Sequence, residues 1–359
     1  VGADRAREPS FTVITQEFLM NPSTTAAPTA TGAPPSGDRL PAGQVAIVIS
    51  ANRMFYPMDL CFSGFQGMLE DPRDLVLVDN GSKGREISAW GHREFPRITI
   101  IDRGADGHYC GGFNTGLRHA LEHGHEFALL VNADTEVVNP KFIHELIEVA
   151  RRHPRAAFFG PMVFFRDRNV IQNTILSYPT FRRTLGNWIM SHVRADSEVQ
   201  SDHRVERKVD FLNGVCVLCR MSALREFGLL DEVIAAYNED TDWNWRARRN
   251  GWYAVYSPIA SIIHHQEESG YAPYDAKTFM ARRNQVVWLI RANRRLEARL
   301  FRFFVLFQAR QRQRGARSDL ERRRYQYYID RFDEVSRRLL AGETPGEWFG
   351  PMLSPWVLP

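Results

Sequence analysis

Several polar clusters in this 359-residue chain sit where an apolar run ends or a helix begins, and each carries side chains able to hold a ligand. Asn132-Ala133-Asp134 closes Phe127-Ala128-Leu129-Leu130-Val131, a near-continuous hydrophobic run of the kind covered on both faces inside a parallel sheet. Ligands of open α/β sheets bind beyond the carboxyl ends of the strands, so Asp134 falls where chemistry is usually done. Side chains alternate along an extended chain, which lets Asn132, Asp134 and Glu136 share one ligand. The same Asp also suits a cap for a helix beginning near Pro140, or a solvated turn. Further on, Glu239, Asp240 and Asp242 follow Asn238 at the head of a helix that continues to Gly251. Carboxylates are favoured at helix N-termini, but three acids in four residues exceed what capping needs. His264-His265 closes another apolar run, and a pair placed there is a better ligand candidate than a lone histidine.

These groups need elements to position them. Val45 to Ser50, the stretch ending at Asp79, the stretch ending near Asp102 and the run before Asn132 are apolar strands separated by helix-length segments, the pattern of a doubly wound parallel sheet. Asp79-Asn80-Gly81-Ser82 stands at a strand end, where it can hydrogen-bond a base or ribose; it is also a good turn. Gly111, Gly112, Asn114 and Gly116 lie at the expected start of a helix, where free N–H groups and the positive dipole end welcome a phosphate. Glycines for tight helix-on-sheet packing explain them equally well. No GK[ST] follows them, and no GxGxxG follows the first strand. The polar and aromatic segment from Arg166 to Glu206 reads as a mobile lid or acceptor loop. Residues 253–258 and 260–265 read as two strands, and the chain from about Tyr274 as one long helix followed by a second.

Composition bounds the class. The chain is 44% hydrophobic and 25% charged, with no apolar stretch near the roughly 18 residues that span a bilayer and no signal-peptide pattern at its start, so the expectation is a cytoplasmic protein. Residues 1–43, rich in Pro, Ala, Thr and Gly, read as a flexible extension. Cys61, Cys110, Cys216 and Cys219 are too few and too irregular for a disulfide framework. Cys216 and Cys219 lie three apart on a strand and face opposite ways, which predicts buried thiols rather than a metal or redox pair. The formal charge is +4, but residues 282–324 hold 14 arginines and three acids, +11, leaving −7 for the rest. That basic tail, with Leu300, Phe303, Phe304 and Phe307 continuing an apolar stripe, suits either an anionic membrane surface or packing on the folded domain. No motif that reads nucleic acid accompanies it, so none is expected as a partner.

In order and spacing these pieces resemble an inverting family 2 glycosyltransferase of the rhamnosyltransferase-like branch, over roughly Val45 to Gly270. The resemblance rests on VDNGS, GGFNTG, NADTE, the run FGLLDEVIAAYNEDTDWNWRARRNGW, and HHQEES. It implies the GT-A fold: α/β, a Rossmann-like, mixed but mainly parallel sheet flanked by helices, here with a C-terminal helical extension. The implied domains are a catalytic domain over 44–272, with a donor half to about 136 and an acceptor half from 137, and a basic helical extension over 273–359. It implies a nucleotide-diphosphate-sugar donor contacted by Ser50, Asn52, Asp79, Gly111, Gly112, Asn114, Asn132 and Asp134. It further implies a Mn²⁺ or Mg²⁺ ion held by Asp134 and His264, and an acceptor hydroxyl on a glycan, a lipid-linked molecule or a small molecule. Asp240 is the implied base, Glu239 its catalytic neighbour, and Asn213, Gly214, Asp242 and Trp243 the acceptor contacts. Asn132 stands where the family's DxD pattern has its first acid, which removes one anionic ligand. Two other readings compete: a sugar nucleotidyltransferase, which lacks support because SANRMFYP is not a phosphate loop, and an inactive sugar-nucleotide or membrane-surface binding module. The expected location is cytoplasmic, at the inner face of the cell membrane if the tail meets lipid, and oligomerisation stays open.

Overall fold

The computed structural model describes residues 39–54, 57–166, 170–193, 203–265 and 276–350. Expectations for residues 1–38, for 266–269 of the HHQEES segment and for the chain at Tyr274 fall outside these residues. In chain order the elements are β1 (Val45–Ala51), α1 (Met58–Gln66), β2 (Leu75–Asp79), α2 (Glu86–Glu94), β3 (Thr99–Asp102), α3 (His108–Glu122), β4 (Phe127–Val131) and β5 (Thr135–Glu136). There follow α4 (Phe142–Arg152), β6 (Ala156–Phe165), β7 (Ile175–Leu176), α5 (Phe181–Val193), β8 (Arg207–Val209), β9 (Phe211–Leu212), β10 (Cys216–Arg220), α6 (Met221–Phe227), α7 (Glu239–Arg249) and β11 (Tyr253–His264). The last helices are α8 (Ala276–Arg291), α9 (Arg295–Arg314) and α10 (Asp319–Ala341). The chain forms two compact units. One takes the described residues of Val1–Ser177, Arg194–Leu229 and Asn244–Glu267; the other takes those of Tyr178–Val193, Leu230–Trp243 and Glu268–Pro359.

The first unit is built on a mixed sheet in the order β3-β2-β1-β4-β10-β6-β11-β5, with β8 also on β11. β1 to β4 run parallel, β11 runs parallel to β6, and β10 lies antiparallel between β4 and β6. Every residue of β2 and β4 is buried, as strands with both faces covered require. The chain steps outward from β1 to β2 to β3, then returns to the other side of β1 for β4. That reversal opens a crevice at the carboxyl ends of β1 and β4, where α/β sheets bind ligands. Register pairs Ile49 with Val131, so Asn132 leaves the sheet next to Ser50, which still pairs with Val78 of β2. Under one face, Phe62 of α1 meets Trp90 and Phe95, with ring centroids 5.2 and 5.4 Å away. All four cysteines are free and buried, and burial raises the Cys216 and Cys219 thiols well above their ordinary value, as their spacing predicts.

Three expectations need correction. Residues 253–264 form one strand rather than two: the register against β6 shifts between Tyr256 and Ser261, and this irregularity accommodates Pro258, which has no N–H for the ladder. The segment from Arg166 to Glu206 is not a loop throughout, because Phe181–Val193 is helical. The long C-terminal helix breaks after Arg291, where Asn293 takes a left-handed φ of 59° and Arg294 N–H turns back to Leu289 O at 2.8 Å; asparagine tolerates that conformation better than most residues.

In the second unit, Phe279 and Phe332 pack on Tyr328, Phe181 and Trp188 meet Phe304 edge-on, and Tyr178 stacks on Trp288 at 5.5 Å. Ser318 caps α10 by accepting from Glu321 N–H, and Gly342 ends it with φ of 90°. Among the described residues no helix is long and apolar enough to cross a membrane.

Candidate active site

Asp134 is positioned by the sheet. β4 ends, Asn132 N–H donates to Val215 O at 2.9 Å, and the chain turns into β5, which pairs with the end of β11 through Thr135 opposite His264. This register brings Asp134 Oδ1 to 3.1 Å from His264 Nε2. His265 turns to a different acid: its Nε2 lies 2.8 Å from Glu136 Oε2, while its N–H donates to Asp134 O at 2.7 Å. Exposure alternates as expected, with Asn132, Asp134 and Glu136 half-buried and Ala133, Thr135 and Val137 buried.

The imidazole is oriented from behind. Gln172 Oε1 lies 2.8 Å from His264 Nδ1; in the Nδ1–H tautomer it accepts a hydrogen bond from the ring, and the Nε2 lone pair then faces a carboxylate oxygen. In that tautomer the carboxylate and the imidazole offer two lone pairs that one metal ion could share. A small divalent ion with bonds of about 2.1 Å has neighbouring octahedral ligands about 3.0 Å apart, so the 3.1 Å separation fits one. Among the described residues no group of three or more His, Cys, Asp or Glu that could hold a metal ion occurs, here or elsewhere. Cys61 lies beneath the turn, 3.4 Å from Thr135 Oγ1, with burial pushing its thiol up to about 12; it packs and does not ligate.

The expected nucleotide contacts divide. Asn52 is exposed at the end of β1 and Ser50 half-buried beside it. Asp79, by contrast, is fully buried, and its carboxylate accepts from Ser82 N–H, Ser82 Oγ, Ser88 N–H and Ser88 Oγ at 2.8 to 3.0 Å. Burial acts to raise its pKa, yet these bonds outweigh burial and lower it. Asp79 therefore stays ionised and clamps the loop after β2. The glycine cluster also differs from expectation, because α3 begins at His108 and Gly111 N–H already donates to Gly107 O at 2.9 Å. Its glycines serve packing: a Cβ on Gly112 would fall 2.1 Å from Ser50 Oγ, and one on Gly116 would fall 2.2 Å from Val48. Asn114 is buried among them. Asn80, part of the motif noted at the end of β2, ties that end to the start of α3 by donating to His108 O and accepting from Gly107 N–H.

Asn213 and Gly214 form the turn into β10. Asn213 Oδ1 accepts from Val215 N–H, and Gly214 O accepts from the Tyr109 hydroxyl at 2.6 Å. Tyr109 was not foreseen; its only signal was an aromatic one place before the glycine cluster's cysteine.

In the second unit the chain before Glu239 has unusual backbone. Ala235, Tyr237 and Asn238 all have φ between 64° and 67°. Such a loop turns its carbonyls inward, and α8 meets them: Asn284 Nδ2 donates to Ile234 O, Ala236 O and Tyr237 O at 2.7 to 3.0 Å, and Arg283 reaches Ile234 O at 3.1 Å. Arg283 is 1% exposed, lies over the Phe349 ring and donates to Phe349 O. Asn238 Nδ2 donates to Ala281 O at 2.7 Å. Neither Arg283 nor Asn284 stood out in the sequence, because an Arg-Asn step in an Arg-rich tail gives no sign of its target.

The acids that follow have separate fates. Asp242, expected to touch the acceptor, is 1% exposed and bonded to Arg291 at 2.9 Å, which also holds Asp231 at 2.6 Å; Trp243 is 4% exposed. Both therefore brace the head of α7 from inside. Asp240 is half-buried, with Thr241 N–H donating to its Oδ1 at 2.7 Å. Glu239 is 8% exposed, and among the described residues its Oε2 has no hydrogen-bond partner. Burial raises both carboxyls, and the charge of Asp240 raises Glu239 further. Both carboxyls therefore hold their protons above the ordinary carboxylate range.

Comparison with known proteins follows this geometry. The family described as Glycosyltransferase like family 2 matches residues 75–286. An N-acetylglucosaminyl-diphospho-decaprenol L-rhamnosyltransferase of Mycobacterium tuberculosis (strain CDC 1551 / Oshkosh) is 28% identical over 220 residues, covering 56% of this chain and 69% of its own. The low-salt glycan biosynthesis hexosyltransferase Agl10 of Haloferax volcanii is 26% identical over 208 residues, 56% of this chain and 64% of its own. Among solved structures, GalNAc-T7 with UDP, GalNAc and Mn²⁺ superimposes with a TM-score of 0.52 at 12% identity, over 83% of this chain and 57% of that one, a likeness of fold. The chain thus spans less than two thirds of the Agl10 and GalNAc-T7 chains.

Proposed function

Since the chain belongs to Glycosyltransferase like family 2 and is a glycosyltransferase of the GT-A fold, we propose that it transfers a sugar from a nucleotide diphosphate with inversion, using Asp134 and His264 as metal ligands and Asp240 as base. The observation that carries this reading is the Asp134–His264 pair, whose 3.1 Å separation suits two neighbouring ligands of one cation, with Gln172 2.8 Å behind the ring. A Mn²⁺ or Mg²⁺ ion held there would neutralise charge on the departing diphosphate. Donor contacts fall to Ser50, Asn52, Asn132 and Asp134, while Asp79, Gly111, Gly112 and Asn114 shape the pocket from behind. Asn213 and Gly214 are assigned to the acceptor side.

Asp240 takes the proton from the attacking acceptor hydroxyl. Burial suits it, because a base works best with a pKa raised toward the working pH. Glu239, whose carboxyl burial and the Asp240 charge also raise, can donate a hydrogen bond to the acceptor when protonated. The acceptor hydroxyl belongs to a glycan, a lipid-linked molecule or a small molecule; the name of the mycobacterial relative, with its diphospho-decaprenol, favours the lipid-linked class.

Thermal melting with UDP, GDP and dTDP, with and without Mn²⁺ or Mg²⁺, tests the assignment. One nucleotide should raise the melting temperature in a metal-dependent way, by about 2.7 kcal/mol of stability at a hundredfold excess over its Kd. Asp134→Ala should lose that gain and keep its own melting temperature, and His264→Ala should lose part of it. Equal stabilisation of wild type and Asp134→Ala with metal present would remove the ion from this site.

A further inference from the structure

The outer face of α9 is apolar and exposed. Leu296 is 68% exposed, Leu300 43%, Phe303 67% and Phe307 43%, whereas Ala298, Phe301, Val305 and Ala309 on the opposite side are buried. At 3.6 residues per turn the four exposed side chains fall within about 60° of arc, one continuous stripe. Arg299, Arg310 and Arg314, all exposed, widen the same face to about 100° and extend it to about 27 Å along the axis. Among the described residues these three arginines form no ion pair. The helix has one acid, Glu297, and it is engaged elsewhere, with Arg294 and with Phe181 N–H.

We propose that this face of α9 is a docking surface for an anionic lipid bilayer, lying in the interface with Leu296, Leu300, Phe303 and Phe307 among the acyl chains and Arg299, Arg310 and Arg314 on the headgroup phosphates. Leucine and phenylalanine flanked by unpaired arginine on one helix face is the chemistry that binds such a surface. Charge decides against a second copy of the chain as the cover: placing two such stripes together would bring six unpaired arginines into one seam with no acid to meet them. Neutral lipid would satisfy the apolar residues but leave the arginines without counter-charge. The proposal concerns the second unit alone and stands whether or not the sugar chemistry assigned above is right.

The test is flotation of the full chain with vesicles of phosphatidylcholine alone or with about 30 mol% phosphatidylglycerol, at about 50 mM and about 500 mM salt, since screening lengths shorten as salt rises. Binding should require phosphatidylglycerol and fall at least about tenfold at the higher salt. Phe303→Glu should weaken it by about tenfold or more with an unchanged melting temperature, because the residue is exposed. A second readout keeps native charge: all four native cysteines are buried, so Phe303→Cys can be labelled with a polarity-sensitive dye. Its emission should shift to the blue with the anionic vesicles, while the same dye on Arg312→Cys, nine residues on and about 180° round the helix, should not respond. The proposal fails if the chain does not bind anionic vesicles at low salt, if it binds both vesicle types equally, or if the Phe303 label stays unchanged in a bound protein. It also fails if Phe303→Glu splits a dimer seen by light scattering while vesicle binding persists, since a second copy would then own the stripe.

Discussion

The corner that holds Asp134 and the loop that leads into Asp240 at the head of α7 are fixed by opposite means. At the corner the backbone does the positioning: β5 pairs with β11, Thr135 faces His264, and the side chains meet because the register brings them there. At the loop the backbone cannot do it. Three non-glycine residues there have left-handed φ, at a cost on the order of 1 kcal/mol each, and Asn284 and Arg283, some 50 residues downstream, hold the carbonyls that the turn points inward. The difference fits the two tasks we propose for them. A metal ligand must be ionised and partly open to solvent, which the end of a strand provides. A base must be desolvated enough to hold a proton near neutrality, and the irregular chain that buries it needs donors that no ladder supplies.

The largest effect that separates the two regions should come from Asp240→Asn. Turnover should fall by about 10² to 10⁴ while the melting temperature and metal-dependent nucleotide binding hold. In the wild type, kcat/KM should rise with pH along a limb above the ordinary carboxylate range, because the base must lose a proton that burial helps it keep. Near-normal transfer by Asp240→Asn would break the contrast and move the base to Glu239.

Gln172→Ala comes next and asks whether the corner depends on backbone alone. Loss of the group that orients a metal-binding histidine typically lowers metal affinity by about 10 to 100 fold, read by Mn²⁺ titration in the presence of the nucleotide. No change would mean that register suffices there. Asn284→Ala sharpens the other side: inward carbonyls left without donors should cost about 1 to 3 kcal/mol in a denaturant melt. The kcat should fall more than KM rises, and Asn284→Asp, the same shape without an N–H, should behave like the alanine variant. Glu239→Gln should be the mildest, with under about tenfold loss of turnover, because it removes a charge that Asp240 already discourages.

Legibility tracks the same divide. β1 to β4 and their parallel order were readable from apolar runs at helix-length spacing, and Asp134 from its place after one of them. His264 could be named over His265 only through a family resemblance, since the two differ by one step of register. The ends of Asp79 and Asp242 were not readable: a carboxylate looks the same in sequence whether it faces a ligand or is turned inward to serines or an arginine. The glycines of α3 were visible as a cluster, but whether they free N–H groups or admit Val48 and Ser50 depends on where the helix starts. Asn284 and Gln172 were invisible because both act across long stretches of chain on partners that only the fold brings near.

One feature of the sheet bears on how the chain reaches its native state. β4 is flanked by β1 and β10, yet β10 follows β4 by 85 residues (216 minus 131), and β6 also waits for it. At 5 to 20 residues per second a ribosome needs roughly 4 to 17 s to deliver that strand. Throughout that interval the apolar edge of Phe127–Val131 has no permanent neighbour and is open to strands of other chains. Substitutions in β10 should therefore register first as lost soluble yield, well before any surviving molecule shows a change in specific activity.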